Sequence, residues 1–181
     1  MKYIMTFCSL LILLSACSSS PPAMNYYLLD STPVAIDPSP GQTLIKLSDV
    51  SVPNYLDQTN LVMRDANHKL IVANYHSWAD DMSNTIRRVL MADLNQASNN
   101  YSFVSSCETC TNLEVSVEHF YPTQQGDVIL SGTYQLKDDS SLRRNFLIKN
   151  SLPASGYEQS VATMRESLKQ LAQEINQDLS Q

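Results

Sequence analysis

Three neighbouring segments in the second half of the chain alternate apolar and polar side chains with a period of two. They cover residues 113–121, 128–136 and 142–148, and Gln125-Gly126 and Asp138-Asp139-Ser140 separate them as turns. A period of two places successive side chains on opposite faces of a strand, and such short turns join antiparallel neighbours. The sequence therefore predicts an antiparallel meander with one buried face and one wetter face.

Two further stretches repeat apolar side chains at helical spacing. Ser77-x-x-Asp80 opens the first like an acidic capping box, and Ser155-x-x-Glu158 opens the second. The apolar positions are Met82, Ile86, Val89, Leu90 and Leu94 in the first stretch, and Val161, Met164, Leu168, Leu171, Ile175 and Leu179 in the second. The second pattern is too short for a coiled coil, so both stretches predict helices packed on a core.

Shorter β-prone runs precede these elements. Residues 26–29, 43–52 and 101–104 have strand character, and residues 61–64 and 70–73 flank a turn and predict a hairpin. Strands followed by a helix, and then a meander followed by a helix, are typical of an α+β domain. We predict two layers, with a mostly antiparallel sheet packed by two helices.

The first seventeen residues have the layout of an export signal. Lys2 provides a positive start, residues 4–14 form a short apolar run, and Leu14-Ser15-Ala16-Cys17 follows directly. This order resembles the bacterial lipobox, in which the new N-terminal cysteine carries N-acyl and S-diacylglycerol groups. The run is too short for a membrane-spanning helix of about 20 residues. We therefore predict residues 1–16 as a lipoprotein signal peptide and Cys17 as the lipidation site.

The rest of the chain divides into a linker and one domain. Residues 17–23 contain the acylated cysteine and a short Ser- and Pro-rich linker, and residues 24–181 have the size of a single periplasmic domain. Several acyl chains at one residue give stable anchoring. By resemblance to Gram-negative lipoproteins, Ser18 stands where an aspartate would imply retention at the inner membrane. We expect a protein anchored to the outer membrane and facing the periplasm.

The charge of the chain argues against two classes of partner. The formal net charge is −6, and removal of Lys2 with the signal peptide leaves −7 on the side chains. Arg87-Arg88 and Arg143-Arg144 are the basic doublets, and neither can neutralise several phosphates. We therefore expect no nucleic-acid binding and no broad electrostatic attachment to anionic lipid.

Two cysteines remain after processing. Cys8 leaves with the signal peptide and Cys17 is acylated, so that Cys107 and Cys110 are left in an oxidising compartment, where we predict a local structural disulfide. Their C-x-x-C spacing also occurs in redox sites, but the flanking residues are strand-like rather than a helix N-terminus. Free thiols, catalytic use and a metal site with His119 remain the alternatives.

No catalytic constellation is visible. The chain has no Gly-x-Ser-x-Gly motif and no glycine-rich phosphate loop, and its histidines lack metal-ligand spacing. Asp80 and Asp81 are adjacent, so as helix residues they would point in different directions. We predict no enzymatic activity, no metal and no cofactor other than the lipid on Cys17.

Several segments resemble a known family in their order along the chain. After the lipobox these are Asn25-Tyr26-Tyr27-Leu28-Leu29, Val50-Ser51-Val52-Pro53-Asn54-Tyr55-Leu56-Asp57, Ala73-Asn74-Tyr75-His76-Ser77-Trp78-Ala79, Ser131-Gly132-Thr133-Tyr134 and Gly156-Tyr157-Glu158. Together they resemble the PqiC (YmbA) family of ABC-transport auxiliary lipoproteins. The resemblance implies an outer-membrane lipoprotein that acts with a PqiB-like MCE tunnel protein, and indirectly with a PqiA-like inner-membrane protein, in moving lipids between membranes.

Three function classes follow. As a docking module, the chain would need an exposed apolar patch, and Tyr55 and Leu56 in a Pro-bounded loop, with Trp78 nearby, are the predicted partner-binding residues. The alternative for this loop is that it folds over the edge of the core. A lipid-binding module would need an apolar pocket of its own between helix and sheet. A thiol oxidoreductase would depend on the C-x-x-C pair alone. Homo-oligomerisation stays open.

Overall fold

A computed structural model describes residues 22–29, 41–137 and 139–180. The predicted signal peptide, Cys17 and Ser18 therefore lie outside the described residues, as does Asp138 of the second meander turn. In chain order the elements are β1 (Asn25–Tyr27), β2 (Thr43–Leu47), β3 (Asn60–Arg64), β4 (Leu70–Trp78), α1 (Met82–Ala97), β5 (Tyr101–Val104), β6 (Thr111–Pro122), β7 (Asp127–Leu136), β8 (Asp139–Ser151) and α2 (Tyr157–Leu179).

The strands form two sheets, one of five strands and one of three. The five-stranded sheet has the order β5-β2-β6-β7-β8 and contains the predicted meander, whose two ladders β6–β7 and β7–β8 are antiparallel. β2 enters this sheet parallel to both β5 and β6. The three-stranded sheet has the order β1-β4-β3, in which β3 and β4 form the predicted antiparallel hairpin and β1 runs parallel to β4. The α+β two-layer class is confirmed, with two mixed sheets in place of one.

Gly132 allows the centre of the meander to close. It pairs with Val117 on one side and Phe146 on the other, next to a register shift between Val117 and His119. A Cβ atom at position 132 would overlap the backbone oxygen of Ser116 and press on the ring of Phe146. Glycine is thus required here by a close backbone approach rather than by an unusual backbone angle.

Both helices bury the predicted apolar stripes. Met82, Ile86, Val89, Leu90 and Leu94 of α1 are buried, and so are Val161, Met164, Leu168, Leu171 and Ile175 of α2. These side chains meet the inner face of the five-stranded sheet in one continuous core. The two helices are also joined by a bidentate ion pair, since Arg165 donates to both carboxylate oxygens of the buried Asp93 at 2.6 and 2.7 Å.

The predicted helix starts are wrong by a few residues. Ser77 and Trp78 finish β4 rather than cap α1, because the parallel ladder with β1 extends the strand to Trp78. Asp81 is the N-cap of α1, and its side chain accepts from the Asn84 amide at 2.8 Å. The N-cap of α2 is Gly156, which makes no side-chain capping bond, so the Ser155-x-x-Glu158 box is not used.

Candidate functional surface

The predicted docking loop does not present an apolar patch. Leu56 is 2% exposed and Trp78 is 7% exposed, and both belong to the hydrophobic core. The Leu56 amide donates to the Pro53 carbonyl at 2.8 Å, which forms a turn that directs the leucine inward. The prediction that Tyr55, Leu56 and Trp78 form an exposed apolar surface is therefore wrong for Leu56 and Trp78. The loop instead folds over the edge of the core.

Tyr55, the third predicted docking residue, is half-buried and fixed to β6. Its hydroxyl donates to the Glu118 carbonyl at 3.1 Å and accepts from the Phe120 amide at 3.4 Å. These bonds lie where β6 shifts register, between Val117 and His119. Burial of the hydroxyl raises the pKa of Tyr55 to about 12. The side chain therefore satisfies backbone groups of the bulge and has a structural role in the described conformation.

The exposed apolar surface lies instead on β1 and β4. Seven of the exposed large apolar side chains lie on these strands or beside β1, and they are Met24, Tyr26, Leu28, Leu70, Ile71, Val72 and Tyr75. We call these seven residues the neutral surface, because the segments 22–29 and 70–78 that carry them contain no Asp, Glu, Lys or Arg. Exposed apolar groups that adjoin one another are typical of a contact surface, whereas single ones are ordinary.

One edge of β4 is left without a strand partner over most of its length. β3 covers one edge of β4, while β1 pairs with the other edge only at His76, Ser77 and Trp78. Among the described residues, positions 70–75 thus have no strand beside them on the β1 side. Pro22 precedes β1 and, like any proline, has no amide hydrogen to continue the ladder.

An apolar cavity adjoins the neutral surface. It has a volume of about 420 Å³ and opens between β3, β4, the turn that joins β6 to β7, and the start of α2. Its lining includes Leu61, Met63, Ile71, Ala73, Pro122, Leu152 and Tyr157. The polar side chains at its wall are serine, threonine, glutamine and tyrosine, and no described residue of the lining is charged. Such a site can take up an apolar group.

A cluster of rings holds β1 against the rest of the domain beside this cavity. The Tyr27 hydroxyl lies 2.8 Å from Nδ1 of His76, and the imidazole stacks on the Tyr157 ring with centroids 3.6 Å apart. The Tyr27 hydroxyl also donates to Glu158 at 3.4 Å. Loss of solvent and the nearby Glu158 carboxylate raise the pKa of Tyr27. No pattern in the sequence predicted this cluster, although all four residues lie in the family-like segments.

The remaining site predictions concern the cysteines and histidines. The structure joins Cys107 and Cys110 in a disulfide between β5 and β6, with Cα atoms 5.6 Å apart. His119, the possible metal ligand beside these cysteines, is exposed next to the register shift in β6. Within the described part of the chain, no three His, Cys, Asp or Glu side chains are grouped so that they could hold a metal ion. None of the described helices is long and apolar enough to cross a membrane.

The comparisons with known proteins define the class. Residues 26–176 match the family described as ABC-type transport auxiliary lipoprotein component, and the chain belongs to this family. The family is one of transport components rather than of enzymes. The resemblance predicted from the sequence is thus confirmed.

Particular relatives extend the match to nearly the whole chain. The intermembrane transport lipoprotein PqiC of Escherichia coli (strain K12) is 27% identical over 183 residues, covering 98% of this chain and 97% of that protein, and the PqiC of Shigella flexneri gives the same values. A crystal structure of an uncharacterized protein shares the fold with a TM-score of 0.76 at 22% identity over 87% of this chain and 99% of that one. Protein XCC0632 from Xanthomonas campestris shares it with a TM-score of 0.62 at 16% identity, over 83% and 92%.

Proposed function

We propose that this chain is a lipoprotein of the outer membrane that docks the periplasmic tunnel protein of a PqiABC-like MCE system and so takes part in moving lipids between membranes. The observation that carries the proposal is the full-length likeness to PqiC, which covers 98% of this chain. In this proposal the chain is an accessory component with no enzymatic activity of its own.

The lipid anchor at Cys17 is the part of the proposal that can be tested most directly. Acylation would hold the domain on the periplasmic side of the outer membrane, because several acyl chains at one residue give stable attachment. Replacing Cys17 with alanine should block processing and remove the protein from outer-membrane fractions. Cys8→Ala is the matched control, since it alters a cysteine of the same signal segment but leaves the Leu14-Ser15-Ala16-Cys17 box intact. Normal fractionation of Cys17→Ala would contradict the anchor.

The partner is tested by purifying the full lipidated chain in detergent from its own membranes. We expect an MCE-domain protein to co-purify, with a PqiA-like inner-membrane protein joining indirectly through it. Mass spectrometry of the intact complex would give both its composition and the number of copies of this chain. Because Leu56 and Trp78 are buried, their substitution should act through stability and is not a test of docking. Complexes that never contain an MCE-domain protein would overturn the proposed partner.

The cavity supports a second candidate function, in which the domain itself binds lipid. An apolar cavity between a sheet and a helix is the feature that this alternative requires, and the space of about 420 Å³ beside Ile71 and Tyr157 has that character. Ala154 lies exposed at the cavity wall, so Ala154→Phe should close the cavity without entering the core. Lipid that co-purifies with the unmodified chain, and with the control Ala154→Ser, should be lost from Ala154→Phe. Equal lipid content in all three would exclude the cavity as the binding site.

A further inference from the structure

Part of the neutral surface lies where the N-terminal linker enters the domain. Asn25 pairs with His76 in the parallel ladder, so Met24 lies beside Tyr75 at the edge of β4. Met24, Tyr26 and Leu28 follow one another along the chain at alternate positions and are all exposed. Met24, Tyr26, Leu28 and Tyr75 therefore lie next to the attachment point of the linker.

The linker is short compared with the domain. Five residue steps separate Cys17 from Pro22, and a fully extended chain covers about 3.6 Å per step, which limits the span to about 18 Å. A domain of this length has a radius of gyration of about 15 Å and is about 40 Å across. If Cys17 is acylated, as the proposed function requires, the start of β1 stays within a fraction of the domain's width from the membrane surface.

The charge of this surface fits lipid contact. The chain carries a net charge of −6, yet residues 22–29 and 70–78 contain no carboxylate that a bilayer with anionic lipids would repel. Tyr26 is 67% exposed and Tyr75 is 43% exposed. Tyrosine is enriched where protein meets the boundary between lipid tails and headgroups, because its ring is apolar and its hydroxyl is polar.

Leu147 on β8 shows the contrast. It is 73% exposed, more than any residue of the neutral surface, but it stands alone between Arg143, Arg144 and Lys149 in the sequence. A single exposed leucine among charges needs no partner to explain it. Exposure by itself therefore does not distinguish the neutral surface, whereas the number of exposed apolar residues in its two segments and the position of Met24, Tyr26 and Leu28 next to the linker do.

We propose that the neutral surface rests in the headgroup layer of the membrane that holds the Cys17 anchor, and that this contact fixes the orientation of the domain. The inference depends on the lipid anchor of the proposed function and adds the face that meets the membrane. Ile71 belongs both to the neutral surface and to the cavity wall.

The experiment compares two tryptophan reporters in the full lipidated chain. Tyr26→Trp places a reporter on the neutral surface, and Leu147→Trp places one on the exposed leucine of β8. Each variant is reconstituted into vesicles of phosphatidylcholine and phosphatidylethanolamine, with the phosphatidylcholine either plain or brominated on its acyl chains, which quenches nearby indole fluorescence. The unsubstituted chain supplies the background from the buried Trp78. We expect bromination to lower the added emission of Tyr26→Trp several-fold more than that of Leu147→Trp.

The outcomes separate this inference from the function on which it depends. Vesicle flotation reports the anchor, and failure to float would remove both the anchor and the proposed orientation. Flotation with equal quenching of the two reporters would overturn the orientation alone. If Tyr26→Trp is not quenched by brominated lipid and its emission shifts instead with protein concentration, the neutral surface is a contact between copies of this chain. A shift on addition of a co-purified partner would assign it to that partner, and either result overturns the membrane contact.

Discussion

The two sheets of this domain differ in how far their apolar side chains are buried. The five-stranded sheet buries them against both helices, and Phe120, Leu130, Tyr134 and Phe146 are at most 4% exposed. The three-stranded sheet leaves Leu70, Ile71 and Val72 open, although β4 lies between β1 and β3. The five-stranded sheet thus contributes more of the buried apolar side chains, while β4 of the other sheet carries apolar surface that folding does not cover. The exposed apolar side chains of β4 are therefore the part of the molecule that is available for contact with a membrane or another protein.

The helix-covered region should respond most strongly to the loss of a side chain. Leu168 is fully buried on the inner face of α2, so Leu168→Ala leaves a cavity and should lower the free energy of unfolding by about 2–5 kcal/mol. Leu147→Ala removes the same atoms from a site that is 73% exposed and should change stability by less than about 0.5 kcal/mol. Urea denaturation of both variants measures the difference. Unchanged stability of Leu168→Ala with loss of self-association would show that the stripe is an oligomer contact instead.

The disulfide tests how far the five-stranded region depends on a covalent link. Cys107 and Cys110 close a loop of only four residues, so the chain-entropy model gives at most about 2 kcal/mol for their bond. The double variant Cys107→Ser with Cys110→Ser should remain folded and lose no more than this amount. Thiol titration of the unreduced, denatured chain should find neither cysteine free. Two titratable thiols, or reduction of insulin by the chain, would favour the free-thiol or redox alternatives.

Local periodicity explains which parts of the fold could be predicted. The meander and the α2 stripe depend on neighbours two to four residues apart, so the pattern in the sequence was sufficient to predict them. The parallel pairing of β1 with β4 joins residues about 50 positions apart, such as Asn25 and His76, and no local pattern encodes it. The prediction of an exposed docking loop was wrong for a related reason, since the burial of Leu56 and Trp78 depends on packing partners that are distant in the sequence. The cavity likewise needs four separate segments to meet.

Tyr55 lies in the loop that joins β2 of the five-stranded sheet to β3 of the three-stranded sheet, and its substitution should have a smaller, pH-dependent effect on stability. Its pKa is raised to about 12 from an ordinary value of 10, so the folded state holds the phenolic proton more tightly than the unfolded chain does. This contribution to stability is complete below pH 10 and is lost as the pH rises through 12. Tyr55→Phe should cost about 1 kcal/mol at neutral pH, for the lost bond to the Glu118 carbonyl, and should lessen the decline in stability between pH 10 and 12. Denaturation of both proteins across this pH range checks it, and an identical alkaline decline would contradict the assignment.

The smallest expected change is at the exposed residues of β4, where replacing an apolar side chain with a polar one should hardly alter stability. Val72 is 46% exposed, and Val72→Thr keeps the β-branched shape that suits a strand while it replaces a methyl group with a hydroxyl. The hydroxyl can remain in water, so the free energy of unfolding should change by less than about 0.5 kcal/mol. The same substitution at Val117, which is 3% exposed, would bury the hydroxyl and should cost about 1–3 kcal/mol. Equal losses at the two positions would mean that Val72 is buried in solution. The exposed apolar side chains of β4 would then pack against another molecule, because the single chain does not cover them.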